Sequence, residues 1–94
     1  MYGSTFRQLT KFHVSHVTPG FIKLLETHND EATAMIEAAA KASLDREDHL
    51  YCCFFKDGVT EELGHSRKSP EGSIRAWFGQ NETGGFTAML PDEY

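Results

Sequence analysis

The chain has 94 residues, which is long enough for one domain with one core. Its formal net charge is −5. No run of residues approaches the ~18 consecutive apolar residues of a membrane-spanning helix. The first residues lack the apolar core of a signal peptide, so we expect a cytoplasmic protein. The excess of acidic residues disfavours nucleic acid as a partner and favours a protein with a basic surface.

The first elements in the chain are a strand and a helix. Residues 6–17 alternate imperfectly between apolar and polar side chains, which predicts an edge strand. Thr18 can cap a helix, and Pro19 suits the first helical position. Apolar side chains at helical spacing follow, beginning with Phe21. These signals predict a first helix.

A second helix is predicted after Asn29, with Asp30 and Glu31 in its first turn, where negative charge is favourable. One side of this helix carries only small or apolar residues: Ala32, Met35, Ile36, Ala39, Ala40 and Ala42. Such a smooth surface can lie close to a sheet. A single bent helix that spans both helical segments remains an alternative.

Residues 50–55, Leu-Tyr-Cys-Cys-Phe-Phe, predict a central strand that is covered on both faces, because both alternating sets of side chains are apolar. Asp57 and Gly58 follow and predict a hairpin turn, since both positions favour positive φ. Residues 59–63 form the returning strand, and Glu61 indicates that one of its faces is exposed.

The segment over residues 70–78 has two interpretations. Pro70 and Glu71 resemble a helix start, and Ile74, Trp77 and Phe78 have helical spacing, so we favour a short third helix. Gly72 disfavours a helix, and a strand over residues 73–78 is the alternative. Residues 86–90 predict a last strand. The expected fold is a single α+β domain, in which a mainly antiparallel sheet of three to five strands carries two N-terminal-half helices on one face.

The residues with chemical potential do not form a recognised catalytic or metal motif. Cys52 and Cys53 are adjacent on a strand, so their side chains point to opposite faces, where we expect reduced and buried thiols. His13 and His16 are three residues apart, and simple strand alternation places them on opposite faces. No zinc spacing is present in the sequence. We therefore predict no catalytic residues, no metal and no cofactor.

The candidate contact residues are acidic. They flank the central strand, where they could lie at one end of the sheet and steer association with a basic partner: Asp45, Glu47, Asp48, Asp57, Glu61 and Glu62. A domain built on one small core has little room for a catalytic cleft, so the sequence favours a non-enzymatic protein-binding module. In size, charge and missing catalytic motifs it is similar to phage-encoded inhibitors of host defence, such as anti-CRISPR and anti-restriction proteins.

Two other functions stay open. A nucleic-acid-binding regulator would use a basic and aromatic region, which contains His65, Arg67, Lys68, Arg75, Trp77 and Phe78. A small structural or assembly protein would dimerise through Ala32, Met35, Ala39 and Ala42. The protein is thus expected to be a monomer or a homodimer.

Overall fold

The computed structural model describes residues 12–64 and 68–93. These residues form two helices and a mixed, mostly antiparallel sheet of five strands, which confirms the predicted α+β fold. The elements are β1 (Val14–Val17), α1 (Pro19–Thr27), α2 (Asn29–Asp45), β2 (Leu50–Lys56), β3 (Val59–Glu62), β4 (Ile74–Gln80) and β5 (Phe86–Met89), followed by a 3-10 turn (Pro91–Glu93). The part of the predicted first strand that precedes residue 12 lies outside the described residues.

The strand order is β1-β5-β4-β2-β3. The β1–β5 pair is parallel, and the other pairs are antiparallel. β2 lies inside the sheet, with Phe54 opposite Glu61 of β3 and opposite Arg75 of β4. Both faces of β2 are buried, as the sequence predicts: Tyr51 and Cys53 lie on the side of the helices, and Cys52 and Phe54 lie on the other. β1 and β3 form the two edges.

The predicted hairpin between β2 and β3 is confirmed. Asp57 and Gly58 have φ values of 52° and 80°, so both central residues of the turn are left-handed. This combination matches the right-handed twist of the strands that it joins. Asp57 tolerates the conformation better than most residues with a side chain, and Gly58 adopts it without steric cost.

The core lies between the helices and one face of the sheet. It contains Phe12, Phe21, Ala32, Met35, Ala39, Tyr51, Cys53, Ala76, Phe78, Phe86 and Ala88. Ala32, Met35 and Ala39 have no exposed surface, and Ala42 packs against the same core. The proposed dimer seam through these four residues is therefore wrong, because they pack within the chain itself.

Residues 70–78 do not form the helix that we favoured; the alternative strand is correct. Gly72 has a φ of 80°, and the Ser73 side chain donates to the Pro70 carbonyl at 2.6 Å, which closes a turn before β4. Ala76 and Phe78 then face the helices, whereas Trp77 lies on the other face of the sheet. The apolar residues of this segment fit both a helical and a strand spacing. Because β4 pairs with β2 and β5, the segment forms a strand.

The start of α1 is joined to the end of the described chain. Thr18 Oγ1 accepts a hydrogen bond from Phe21 N at 3.3 Å, as its predicted capping role requires. It also donates to Glu93 Oε1 at 2.5 Å, and Glu93 Oε2 accepts from Gly20 N at 3.0 Å. A Cβ atom on Gly20 would lie 2.7 Å from Glu93 Oε1, so glycine allows this close approach.

This arrangement predicts a pH-dependent contribution to stability. The hydrogen bond from Thr18, followed by those from the Leu90 and Gly20 backbone, lowers the pKa of Glu93 below its usual value. The carboxylate therefore stabilises the fold above the unfolded pKa of about 4.3, and this stabilisation is lost as the pH falls through the lower folded pKa.

We expect Glu93→Gln to lower the melting temperature at about pH 7, where the wild-type carboxylate is fully ionised. The difference from wild type should shrink as the pH falls to about 3. Thermal unfolding followed by circular dichroism measures both values. The neighbouring Asp92→Asn, an exposed position, is the matched control and should show no such convergence. A Glu93→Gln difference that does not change with pH would contradict the capping role.

Candidate functional site

The acidic residues are concentrated on one side of the fold. Residues 29–62, which we call the acidic half, contain nine Asp or Glu against three Lys or Arg, a net charge of −6. The remaining residues contain five acidic against six basic side chains, a net charge of +1 in the sequence, although Arg7, Lys11 and Arg67 lie outside the described residues. The acidic half comprises α2, β2 and β3, and β3 is the edge strand. The excess negative charge of the chain therefore lies towards the β3 edge.

Within this half, the predicted contact residues do not gather at one end of the sheet. Asp45 is exposed at the end of α2 and Glu47 in the connection that follows, whereas Asp57 is exposed in the turn after β2. The seven residues of β2 separate these two groups by about 23 Å, at ~3.3 Å per residue. The expected single cluster at one end is thus wrong, since the two groups lie at opposite ends of β2.

Glu62 is engaged inside the molecule. Arg46 donates from Nη1 and Nη2 to the two carboxylate oxygens of Glu62, each at 2.9 Å, and from Nε to Asp48 Oδ2 at 3.2 Å. The side chain of Glu62 is only 8% exposed. Its hydrogen bond raises the pKa of Arg46 above its already high value. Glu62 therefore adds charge to the acidic half but offers little contact surface.

The same arginine helps to fix the connection between α2 and β2. Its guanidinium carbon lies 5.2 Å from the centre of the Tyr51 ring. The Tyr51 hydroxyl donates to the Arg46 carbonyl at 2.7 Å and accepts from Asp48 N at 2.9 Å. Burial raises the pKa of Tyr51, so this hydroxyl keeps its proton. These contacts fix the conformation of the connection. Asp45, which directly precedes it, and Glu47, which lies in it, are exposed.

Glu61 lies on the β3 edge strand. It is exposed and stands opposite Phe54, on the face of the sheet away from the helices. Val59, on the same face of β3, is 48% exposed. The exposed side chains of this hairpin are therefore those of Asp57, Val59 and Glu61.

A cleft of about 560 Å³ lies between the α2–β2 connection and the turn that joins β4 to β5. Phe12, Tyr51 and Phe86 line it, with ring centres 4.8–5.9 Å apart. His49 Nδ1 and Gln80 Oε1 lie 2.8 Å apart at its side. The expectation that the domain has little room for a cleft is wrong. Sequence reasoning missed it because its aromatic residues come from distant segments and share no local motif.

His13 directly precedes β1, and His16 lies within it beside a β-bulge. The register between β1 and β5 shifts immediately before His16. Ser15 Oγ lies 3.0 Å from His16 Nδ1 and accepts from Asn81 Nδ2 at 2.9 Å. A Cβ on Gly85 would lie 2.6 Å from Ser15 Oγ and 2.7 Å from His13 Nε2. Simple alternation, which places His13 and His16 on opposite faces, does not allow for this bulge. In the described ranges, no group of three or more His, Cys, Asp or Glu residues is arranged to hold a metal.

Both cysteines are buried thiols that form no disulfide among the described residues, as predicted. Cys53 faces the helices in the core, and the alternation of β2 places Cys52 on the opposite face. Burial is the main cause that raises the pKa of the Cys53 thiol, and the charge of Glu62 adds to it. Cys53 is therefore held as a neutral thiol, which is a poor nucleophile.

The basic and aromatic region is only partly described. His65 and Arg67 lie outside the described residues. Arg75 and Lys68 are exposed, and Trp77 is half-buried on the face of the sheet away from the helices. Phe78 has no exposed surface and packs against the helices, so its ring is not available for stacking on a base.

No protein-family model, curated protein or solved structure matches this chain. Within residues 12–64 and 68–93, no helix is long and apolar enough to cross a membrane.

Proposed function

We propose that this protein is a non-enzymatic protein-binding module, which covers a basic surface of its partner with the acidic half and thereby inhibits it. The local concentration of negative charge supports this proposal: residues 29–62, which form α2, β2 and β3, have a net charge of −6. A one-sided field of this kind orients a basic partner before contact and accelerates association.

The contact residues in this proposal are the exposed carboxylates Asp45, Glu47, Asp57 and Glu61. Asp45 and Glu47 lie at or in the connection whose conformation is fixed by contacts of Arg46 and Tyr51. Asp57 and Glu61 lie in the hairpin. Rigid placement lowers the entropy cost of binding. Rim charges of this type set the association rate and the salt dependence more than the final affinity.

The finer proposal is a phage-type inhibitor of bacterial defence, of the anti-CRISPR or anti-restriction kind. Its support is the likeness in size, acidity and missing catalytic motifs, which is an argument by analogy. A protein that inhibits by covering a surface needs no catalytic chemistry of its own.

The charge proposal predicts that neutralising three exposed carboxylates weakens partner binding. We expect the triple variant Asp45→Asn, Asp57→Asn, Glu61→Gln to lose at least ~10-fold in affinity at about 0.15 M salt, mainly through slower association. The partner is captured from host cells and purified, and its binding is then measured by biolayer interferometry at two salt concentrations. Equal affinity of wild type and triple variant would overturn the proposal.

A matched control removes three exposed carboxylates from the other part of the chain: Glu26→Gln, Glu82→Gln and Asp92→Asn. Its affinity should stay within about twofold of wild type, because these carboxylates lie outside the acidic half. Its net charge changes by the same amount as that of the triple variant, so a general effect of charge would weaken both. For the inhibitor role, wild type and control should raise the plating efficiency of a phage on bacteria that carry an active CRISPR or restriction system. The triple variant should not, and a wild type without effect on either system would contradict the defence role.

A further inference from the structure

The outer edge of β3 pairs with no other strand in the described part of the chain. The register places Lys56 opposite Val59 and Phe54 opposite Glu61, and Leu63 N donates to Cys52 O at 2.7 Å. In antiparallel strands, the peptide groups of alternate residues point to the neighbouring strand. Val59, Glu61 and Leu63 therefore direct their N–H and C=O groups to β2. The intervening residues of β3 direct theirs away from it.

Thr60 and Glu62 are these intervening residues. Their outward N–H and C=O groups have no hydrogen-bond partner in the described part of the chain. A strand edge with unpaired peptide groups is a template on which another extended segment can add. The spacing of two residues between Thr60 and Glu62 is the repeat that an added strand requires.

The charges on this edge determine which kind of segment can pair with it. A second copy of the chain, paired through β3, would bring the Glu61 and Asp57 carboxylates of both copies together, and facing like charges destabilise a strand pair. A segment with Lys or Arg opposite Glu61 would form opposite-charge pairs instead. The acidic half thus disfavours self-pairing and favours a basic strand.

We propose that an extended basic segment of the partner adds to β3 as a sixth strand, hydrogen-bonded to the peptide groups of Thr60 and Glu62. This inference rests on the proposed function and specifies its mode of binding. Glu61 and Val59 share one face, so the added strand carries a basic residue opposite Glu61 and, two residues away, an apolar residue near the exposed Val59.

A synthetic peptide tests this mode without the natural partner. The probe is the hexapeptide Thr-Arg-Thr-Val-Thr-Lys, and its charge-reversed counterpart is Thr-Glu-Thr-Val-Thr-Glu. In NMR titrations to about 1 mM, we expect the basic peptide to shift the amide signals of β3 and to slow hydrogen exchange at Thr60 and Glu62. The acidic peptide should do neither. Absence of both effects with the basic peptide would overturn the proposal.

Thr60→Pro is the decisive variant of the protein. Proline removes the outward N–H of Thr60, which takes no part in pairing with β2, and edge strands tolerate proline at such positions. We expect at least ~5-fold weaker peptide binding, the equivalent of about one hydrogen bond. Thr60→Ala, which keeps the N–H, should stay within about twofold. Equal binding by both variants would contradict strand addition.

Peptides that are N-methylated at alternate positions give the same test if Thr60→Pro fails to fold. Methylation of the peptide N–H groups that face β3 should abolish binding. Methylation of the N–H groups that point away from β3 should not. Equal loss on both edges would contradict the proposal. Concentration-dependent sedimentation that Thr60→Pro abolishes would show that a second copy occupies the edge, and would also overturn it.

The two proposals can fail separately. If the basic peptide does not bind at β3 but the triple charge variant still loses the partner, the acidic half binds its partner by another mode. If the peptide adds to β3 but neutralised carboxylates leave partner binding unchanged, strand addition stands and the charge-based function fails.

Discussion

Replacement of Phe78 by alanine is expected to lower the free energy of unfolding by about 3–5 kcal/mol, the range for truncation of a buried phenylalanine. Phe78 has no exposed surface. Its ring meets Phe12 and Phe21 edge-on, at 5.8 and 6.0 Å between ring centres. Truncation therefore removes apolar burial and leaves a cavity between α1 and the sheet. A domain of this size is stable by only ~5–15 kcal/mol in total, so this loss is large.

Urea unfolding followed by circular dichroism and by Trp77 fluorescence measures the Phe78→Ala effect. Phe78→Leu, which keeps much of the volume, should cost clearly less. Val59→Ala removes a side chain that is 48% exposed and should stay within ~0.5 kcal/mol of wild type. A Phe78→Ala protein as stable as Val59→Ala would contradict the position of Phe78 in the core.

Arg46→Met is expected to destabilise the protein by about 2–3 kcal/mol, below the ~3–5 kcal/mol of a fully buried pair. The substitution removes both 2.9 Å hydrogen bonds to Glu62 and leaves its carboxylate, 8% exposed, without its cation. The cost is reduced because Arg46 itself is 26% exposed, where solvent screens the charge.

A double-mutant cycle isolates this pair. Arg46→Met combined with Glu62→Met should recover much of the stability that each single change loses, since no unpaired carboxylate remains. Lys41→Met makes the same change in net charge at an exposed site of α2 and should stay within ~0.5 kcal/mol. Additive losses at Arg46 and Glu62 in urea unfolding would show that the ion pair does not couple them.

The central hairpin could be predicted from sequence because its signals are local. Residues 50–55 are apolar on both faces, and Asp57 with Gly58 specifies the turn at any position in a chain. The start of α1 was predictable for the same reason, since Thr18 caps within its own first turn. In these segments, local preference and tertiary structure agree.

Residues 70–78 were not predictable in this way, because Ile74, Trp77 and Phe78 have a helical spacing, whereas Ile74, Ala76 and Phe78 have a strand spacing. Their conformation is decided by β2 and β5, which lie on either side of β4. The parallel pairing of β1 with β5 is also set by contacts that are distant in the chain. No local pattern encodes the strand order.

The candidate site was predictable in part. Exposure at Asp45, Asp57 and Glu61 follows from their positions in a connection, a turn and an edge strand. The engagement of Glu62 was missed because its partner Arg46 lies sixteen residues earlier. A signal was present: Arg46 is the one base within the acidic run over residues 45–48, where three carboxylates surround it. The β-bulge beside His16 left no such signal.

Because β1 pairs with β5 and Thr18 with Glu93, the contacts that close the fold join residues up to 75 positions apart. The entropy cost of closing a loop rises by ~0.6 kcal/mol with each doubling of its length, whereas a two-residue hairpin closes in ~1–10 μs. Strands β2 to β5 follow one another in the chain and pair antiparallel, so they can assemble first. We expect the docking of β1 and the hydrogen bonds of Glu93 to the start of α1 to form last, since pairing between distant segments is slow.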